Sequence, residues 1–387
     1  MRSIVAGLLA MGLVGAALVA PERAGAAVAA GDQVYVTNSA LRADAKLATV
    51  ARFAVSLTGT VQPAGTVKTG HGARGIVFTP GDVVGQQFAY VPSQLVDQIG
   101  RYRVAANGAL TLLGATGTPQ PFGIATSPDA RTVYVSHLTV GTGEGGLSAF
   151  RVATDGDLVP LNAVTTGHVN AKGVAVTPDG RFVYVAHGVP NGTAPSRLVG
   201  FAVAADGSIG AQVVAVDIGA SGHRVVITPD GRFLYVTNQE AGATGDIYGF
   251  KIGPAGGLIP VSPKPFEAGV WTEGAALSRD GKRLYTTALG VVGPVSAPVA
   301  DGEVRGFAVN IDGTLTGIES LALGFDPVDL AVGPDGKALY VADFSGSSLT
   351  VLTIDATGGL KPVQTVSSEG ANPGFQGVAV RPAPIGP

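Results

Sequence analysis

His223 and Arg224 stand side by side in a chain of 387 residues that has five histidines and no cysteine, and Glu240 follows shortly after. Imidazole and carboxylate are the common proton acceptors near neutral pH, and a guanidinium holds an oxyanion or a carboxylate. A base (His223 or Glu240) with Arg224 as its cation is equipment for adding water to an acyl carbon, or for the reverse. Arg74 and Lys172 extend the cationic side, which suits a small anionic substrate. His137, His168, His187, Glu273 and Asp329 complete a candidate binding set. The five histidines and these charged residues fall at strand ends or in loops on one side of a repeated pattern, whereas the other side offers only Asp-Gly turns. His137 and His187 hold equivalent positions in neighbouring repeats, but two nameable ligands do not make a metal site, so none is assigned. Trp271, beside Glu273, is either a sugar-stacking platform or a packed loop anchor. No glycine-rich phosphate loop and no Gly-x-Ser-x-Gly elbow is present, so no cofactor and no serine nucleophile are expected.

The elements that must carry these residues are short strands. Seven of the nine tyrosines fall in register, Tyr35, Tyr90, Tyr134, Tyr184, Tyr235, Tyr285 and Tyr340, 44 to 55 residues apart. Most sit in an apolar string such as Val183-Tyr184-Val185 or Leu234-Tyr235-Val236. Ahead of the tyrosine lies a second string that ends in a turn, as in Thr177-Pro178-Asp179-Gly180 and Thr228-Pro229-Asp230-Gly231. Asp-Gly after proline, between apolar runs, is a hairpin signal: glycine takes the positive φ and Asp bonds back to the backbone. A third strand follows, with an aromatic in six repeats (Phe53, Tyr102, Phe150, Phe201, Phe250, Phe307), and then a turn and a fourth strand.

Four antiparallel strands in each repeat of about 50 residues, without helical periodicity, predict an all-β, seven-bladed propeller. The chain starts on a second strand, Gln33 to Asn38, and finishes on a first strand beginning at Gly377. Pairing these two in one blade closes the ring and leaves no open edge. First strands line the channel of such a ring. Two tiers follow at its mouth: Arg74, Phe122, Lys172, His223, Glu273, Val328 and Gln376, then Gly75, Gly123, Gly173, Arg224, Gly274, Asp329 and Gly377. Glycine suits the second tier because inner strands crowd there. Arg224 and Asp329 break the rule, and charges in a narrowing channel are costly unless paired or used, so they are expected to meet or to share a ligand.

Residues 1–26 read as a signal peptide: Arg2 opens it, Ile4 to Ala20 is apolar, and Ala24-Gly25-Ala26 is a small-residue cleavage site. A single domain over 27–387, exported to the periplasm or outside the cell, is the expectation. Without cysteine, a large core rather than disulfides must hold it. The net charge of −3 and the lack of a basic run argue against nucleic acid, and no membrane span is expected in the mature chain, which should be monomeric.

The repeats resemble the lactonase family of seven-bladed propellers, which includes the propeller-type 6-phosphogluconolactonases of bacteria and the fungal carboxymuconate cyclase. Tyr35-Val36-Thr37-Asn38 and Tyr235-Val236-Thr237-Asn238 also resemble the Tyr-Val-Thr-Asn repeats of surface-layer propellers. The family resemblance implies opening or closing of a lactone ring. It places catalytic groups at Gly222-His223-Arg224, where the family has Pro-Arg-His, and after Asn238, where Gln239 precedes Glu240. A further family histidine aligns with Lys172, with His168 earlier in the same loop. The surface-layer resemblance implies the alternative, a non-catalytic propeller that grips a glycan or protein at the cell surface.

Overall fold

In the computed structural model the described residues are 31–381 apart from 41–47, 57, 80–86, 141–142, 189–194, 240–243, 291–301, 325, 345–346 and 369–375. The export segment therefore lies outside them. The register tyrosines are the largest fully buried side chains, and each belongs to the second strand of a sheet. Seven antiparallel sheets form, six of four strands and one in which the fourth strand is broken. The break falls between Leu258–Pro260 and Phe266–Val270, both paired with Thr244–Ile252. Pro260, Pro263 and Pro265 cause it, because proline cannot donate to the ladder. The one helical element among the described residues is a 3₁₀ turn at Gln94–Val96.

The ring closes as the repeat count requires. Gln376–Arg381 pairs antiparallel with Gln33–Asn38, with Val34 opposite Val380 and Tyr35 opposite Ala379. Between blades, apolar faces of strands pack in clusters such as Tyr184, Leu198, Val225, Leu234 and Phe250. The tyrosines add a polar staple. Tyr184 donates to the Gly256 carbonyl at 2.8 Å and Tyr235 to that of Gly313 at 2.8 Å, each in the next blade. Tyr35, Tyr90, Tyr134 and Tyr285 do the same for Gly108, Gly156, Gly207 and Gly358. Burial holds these phenols protonated; Tyr35 and Tyr134 are pushed up to about 12. Every staple is therefore a neutral O–H donor to a backbone carbonyl of the next blade, and all of these carbonyls but that of Gly207 belong to buried residues.

The first strands carry the feature that makes a site. Their pairing with the second strands slips between Pro121 and Ile124, Ala171 and Val174, Gly222 and Val225, and Thr272 and Ala275. Such a bulge frees two residues from the ladder and re-aims their side chains. In three of these blades a hydroxyl of the second strand takes the place of the lost backbone acceptor. Ser136, Thr237 and Thr287 accept from the amides of Gly123, Arg224 and Gly274 at 2.8, 2.9 and 2.8 Å. The residues freed, Phe122, Lys172, His223 and Glu273, are those of the first tier read from the sequence.

Candidate active site at the channel mouth

The bulges turn the two tiers inward around a small, partly open cavity lined by Arg74, Phe122, His223, Arg224, Glu273 and Asp329, among others. Glycine in the second tier is enforced by the neighbouring blade: a Cβ on Gly173 would collide with the carbonyl oxygen of His223, and one on Gly123 with that of Lys172. Arg224 and Asp329, the two exceptions, form an ion pair across the mouth. The second carboxylate oxygen of Asp329 accepts from the Val378 amide at 3.0 Å, so the pair also grips the closing strand.

Glu273 is 2% exposed. One of its oxygens, Oε1, accepts from the side-chain amide of Gln239. The carbonyl end of that amide accepts from Lys172 Nζ at 3.2 Å, and Lys172 also donates to Ser221 at 3.3 Å. Lys172, Gln239 and Glu273 thus form a relay that fixes the amide's orientation and the carboxylate's. Glu273 Oε2 is buried and has no hydrogen-bond partner among the described residues. Burial pushes the Glu273 carboxyl above the usual carboxylate range, against the pull of Lys172 and Arg74. Burial likewise lowers the Lys172 amine, against the pull of Glu273. It also brings Arg74 down to about 10.

His223 lies edge-on to Phe122, with ring centroids 5.8 Å apart at 87°. Burial, then the cations Lys172, Arg224 and Arg74, hold its imidazole well below the ordinary range, so it is neutral at pH 7. The Arg74 guanidinium sits 4.7 Å from the centroid of Phe122 and donates to Gln94 Oε1 at 2.9 Å.

The candidates named from sequence separate into three groups. Arg74, His223, Arg224, Glu273 and Asp329 come together at the mouth, with Lys172 behind Glu273. His137 and His187 are not among the residues that line it. The ring nitrogens of His137 meet the Pro119 carbonyl at 2.6 Å and the Ser148 hydroxyl at 2.8 Å. Those of His187 meet the Arg197 carbonyl at 3.0 Å and the Thr166 hydroxyl at 2.7 Å. With both nitrogens engaged and the rings buried, these histidines tie strand ends to loops. His168 packs edge-on against His187 at 5.5 Å, away from the residues that line the mouth. Glu240 lies outside the described residues. Trp271 takes a positive φ of 62° in the turn before Glu273 and is not among the lining residues. Gln239 was not singled out from sequence; its adjacency to the Tyr235–Asn238 string was the available signal. Two carboxylates, Glu273 and Asp329, line the mouth beside Arg74 and Arg224. Among the described residues no group of three or more His, Asp or Glu is placed to hold a metal ion.

Residues 96–224 and 275–378 match the family described as lactonase, 7-bladed beta-propeller. The chain belongs to that family. Solved structures agree on the lactonase-type fold. A Bacteroides uniformis protein provisionally assigned as a 6-phosphogluconolactonase aligns with TM-score 0.72 at 20% identity, over 91% of this chain and 100% of that one. The periplasmic gluconolactonase of Pseudomonas aeruginosa aligns with TM-score 0.68 at 19% identity, over 91% and 100%. A hypothetical selenium-binding protein of Sulfolobus tokodaii reaches 0.70 at 12%, over 91% and 94%. Identities this low speak to the fold alone. No curated protein matches this lactonase-family chain in sequence.

Proposed function

We propose that the chain hydrolyses a small lactone at the channel mouth, with Glu273 as the general base. The observation that carries this reading is the asymmetric carboxylate of a residue that lines the cavity, held at one oxygen by Gln239 and left buried and without a hydrogen-bond partner at the other. Glu273 takes a proton from water, and the hydroxide adds to the lactone carbonyl carbon. Arg74 and Arg224 line the same cavity and supply the guanidinium that holds the oxyanion, in place of the bulge amides of Gly123, Arg224 and Gly274, which hydroxyls already occupy. Collapse breaks the ring C–O bond, and Glu273 returns the proton to the leaving alkoxide. The net change is lactone plus water to hydroxy acid. Neutral His223 packs against Phe122 and keeps the base's surroundings uncharged on that side.

Glu273→Gln keeps the shape and removes the base. Loss of general-base catalysis is worth about 10²- to 10⁴-fold, so kcat for lactone hydrolysis should fall by about that factor with the melting temperature held or raised. A pH-stat assay on the purified variant reads it. Undiminished turnover would move the base elsewhere, with Glu240 the next residue to substitute.

A further inference from the structure

The walls of the mouth differ in kind from what a phosphorylated sugar lactone requires. A phosphate group is held by cations in excess or by a set of open backbone amides. Here the lining cations and anions balance, two arginines against Glu273 and Asp329. Arg224 is already paired with Asp329, and Arg74 lies over Phe122 while donating to Gln94. The amides of Gly123, Arg224 and Gly274 are taken by hydroxyls of their own blades. A dianion placed here would face two buried carboxylates without gaining an open donor set. Apart from these charged groups and His223, the first-tier wall that lines the cavity is apolar. Phe122 is half-buried, with the Arg74 guanidinium over its ring and His223 perpendicular to it, and Val328 stands across the channel by strand order, on the seventh blade against the third.

Resting on the lactonase reading above, we propose that the mouth selects an uncharged, unphosphorylated lactone with an aryl or alkyl face, which lies on Phe122, and discriminates against sugar lactones. Phe122 is then the specificity-determining residue for the water addition assigned to Glu273. An apolar ring face suits the cavity for the same reason that it suits any pocket with an aromatic wall: area leaves water and the quadrupole of the ring finds a partner.

The test separates binding from turnover. Turnover is followed with dihydrocoumarin, δ-decanolactone, glucono-δ-lactone and 6-phosphoglucono-δ-lactone. Binding is measured by calorimetry with two lactams that cannot be hydrolysed by the same route at any useful rate, 3,4-dihydroquinolin-2-one and gluconolactam. The expected result is a kcat/KM for dihydrocoumarin at least tenfold above that for either sugar lactone, with the dihydroquinolinone bound more tightly than gluconolactam. Phe122→Ala should weaken the dihydroquinolinone about tenfold, in the range of a lost aromatic contact, and leave gluconolactam unchanged. Phe122→Leu, which keeps an apolar wall should the alanine variant unfold, should fall between. Tighter binding of gluconolactam, faster turnover of the phosphorylated lactone, or equal loss of both lactams on substitution would overturn the proposal. If no lactone is turned over while the dihydroquinolinone still binds through Phe122, the hydrolase reading fails and the selectivity stands. If neither lactam binds, the selectivity fails.

Discussion

Asp343 shows how a single side chain sets a pH dependence away from the site. It occupies, in the seventh blade, the strand-end position that His187 holds in the fourth, and it is fully buried. Ser348 donates to one oxygen, the other has no hydrogen-bond partner among the described residues, and Asp326 adds a like charge. Burial, opposed by the Ser348 hydrogen bond, pushes its carboxyl up to about 6. The folded state therefore binds a proton more tightly than the unfolded chain, whose Asp titrates near about 3.9. Stability from this group is fully present below about pH 4 and is lost as pH rises through about 6, for a total of about 2–3 kcal/mol. Asp343→Asn should flatten that loss. Urea unfolding from pH 4 to pH 8 should give curves for the variant and the native chain that diverge from about pH 4 and run parallel again above about pH 6, the variant being the more stable at pH 7. Curves parallel throughout would mean that the carboxylate is solvated or paired in solution.

At the scale of the strand and its turn, two kinds of glycine serve different purposes and should respond differently to the same methyl group. Gly180 ends a Thr-Pro-Asp-Gly turn at φ 73°, and a Cβ there would meet nothing nearer than Pro128 Cδ at 3.7 Å. Gly180→Ala therefore costs only the left-handed conformation, about 1–2 kcal/mol. The third blade already makes this compromise, because Ala130 holds the same place at φ 57°. Gly173, in the second tier, has no positive φ, but its Cβ would strike the His223 carbonyl. Gly173→Ala must shift one blade against the next, and should cost more than Gly180→Ala, roughly 3 kcal/mol or more as for overpacked cores. It should also lower activity by moving Lys172 and His223. Thermal melts and turnover on the two variants check both halves of the contrast. Equal losses would show that the mouth yields more easily than the backbone contact implies.

For the whole molecule, closure decides stability. Gln33–Asn38 is paired on one side by Thr49–Val55 and on the other only by the C-terminal strand, so removing residues 376–387 exposes a fully buried strand along its whole edge. It also takes away the Val378 amide that holds Asp329, and with it part of the pair that spans the mouth. The truncated chain should lose its cooperative melt and bind a hydrophobic dye, and it should aggregate through the open edge. A truncated chain that melts cooperatively within a few degrees of the full chain would show that six blades and an unfinished seventh suffice.

Much of this was legible before any coordinates. The tyrosine register, the Pro-Asp-Gly turns and the offset of the chain ends are local patterns, so they specify blade number, strand order and the two tiers at the mouth. The meeting of Arg224 and Asp329 also followed, since charges in a glycine tier have few other partners. The contacts among Lys172, Gln239 and Glu273 did not follow. Whether Lys172 reaches Glu273 depends on the rotamer of Gln239, which sits in a different blade from either and carries no sequence signature of its own. His137 and His187 looked like ligands because strand-end histidines usually face water. The Pro119 carbonyl in a loop and the Arg197 carbonyl at the start of a strand turn them into buried ties. The balance of charge at the mouth was hidden for the same reason: sequence counts the charges, but only ring closure decides which of them share a cavity and which are already paired.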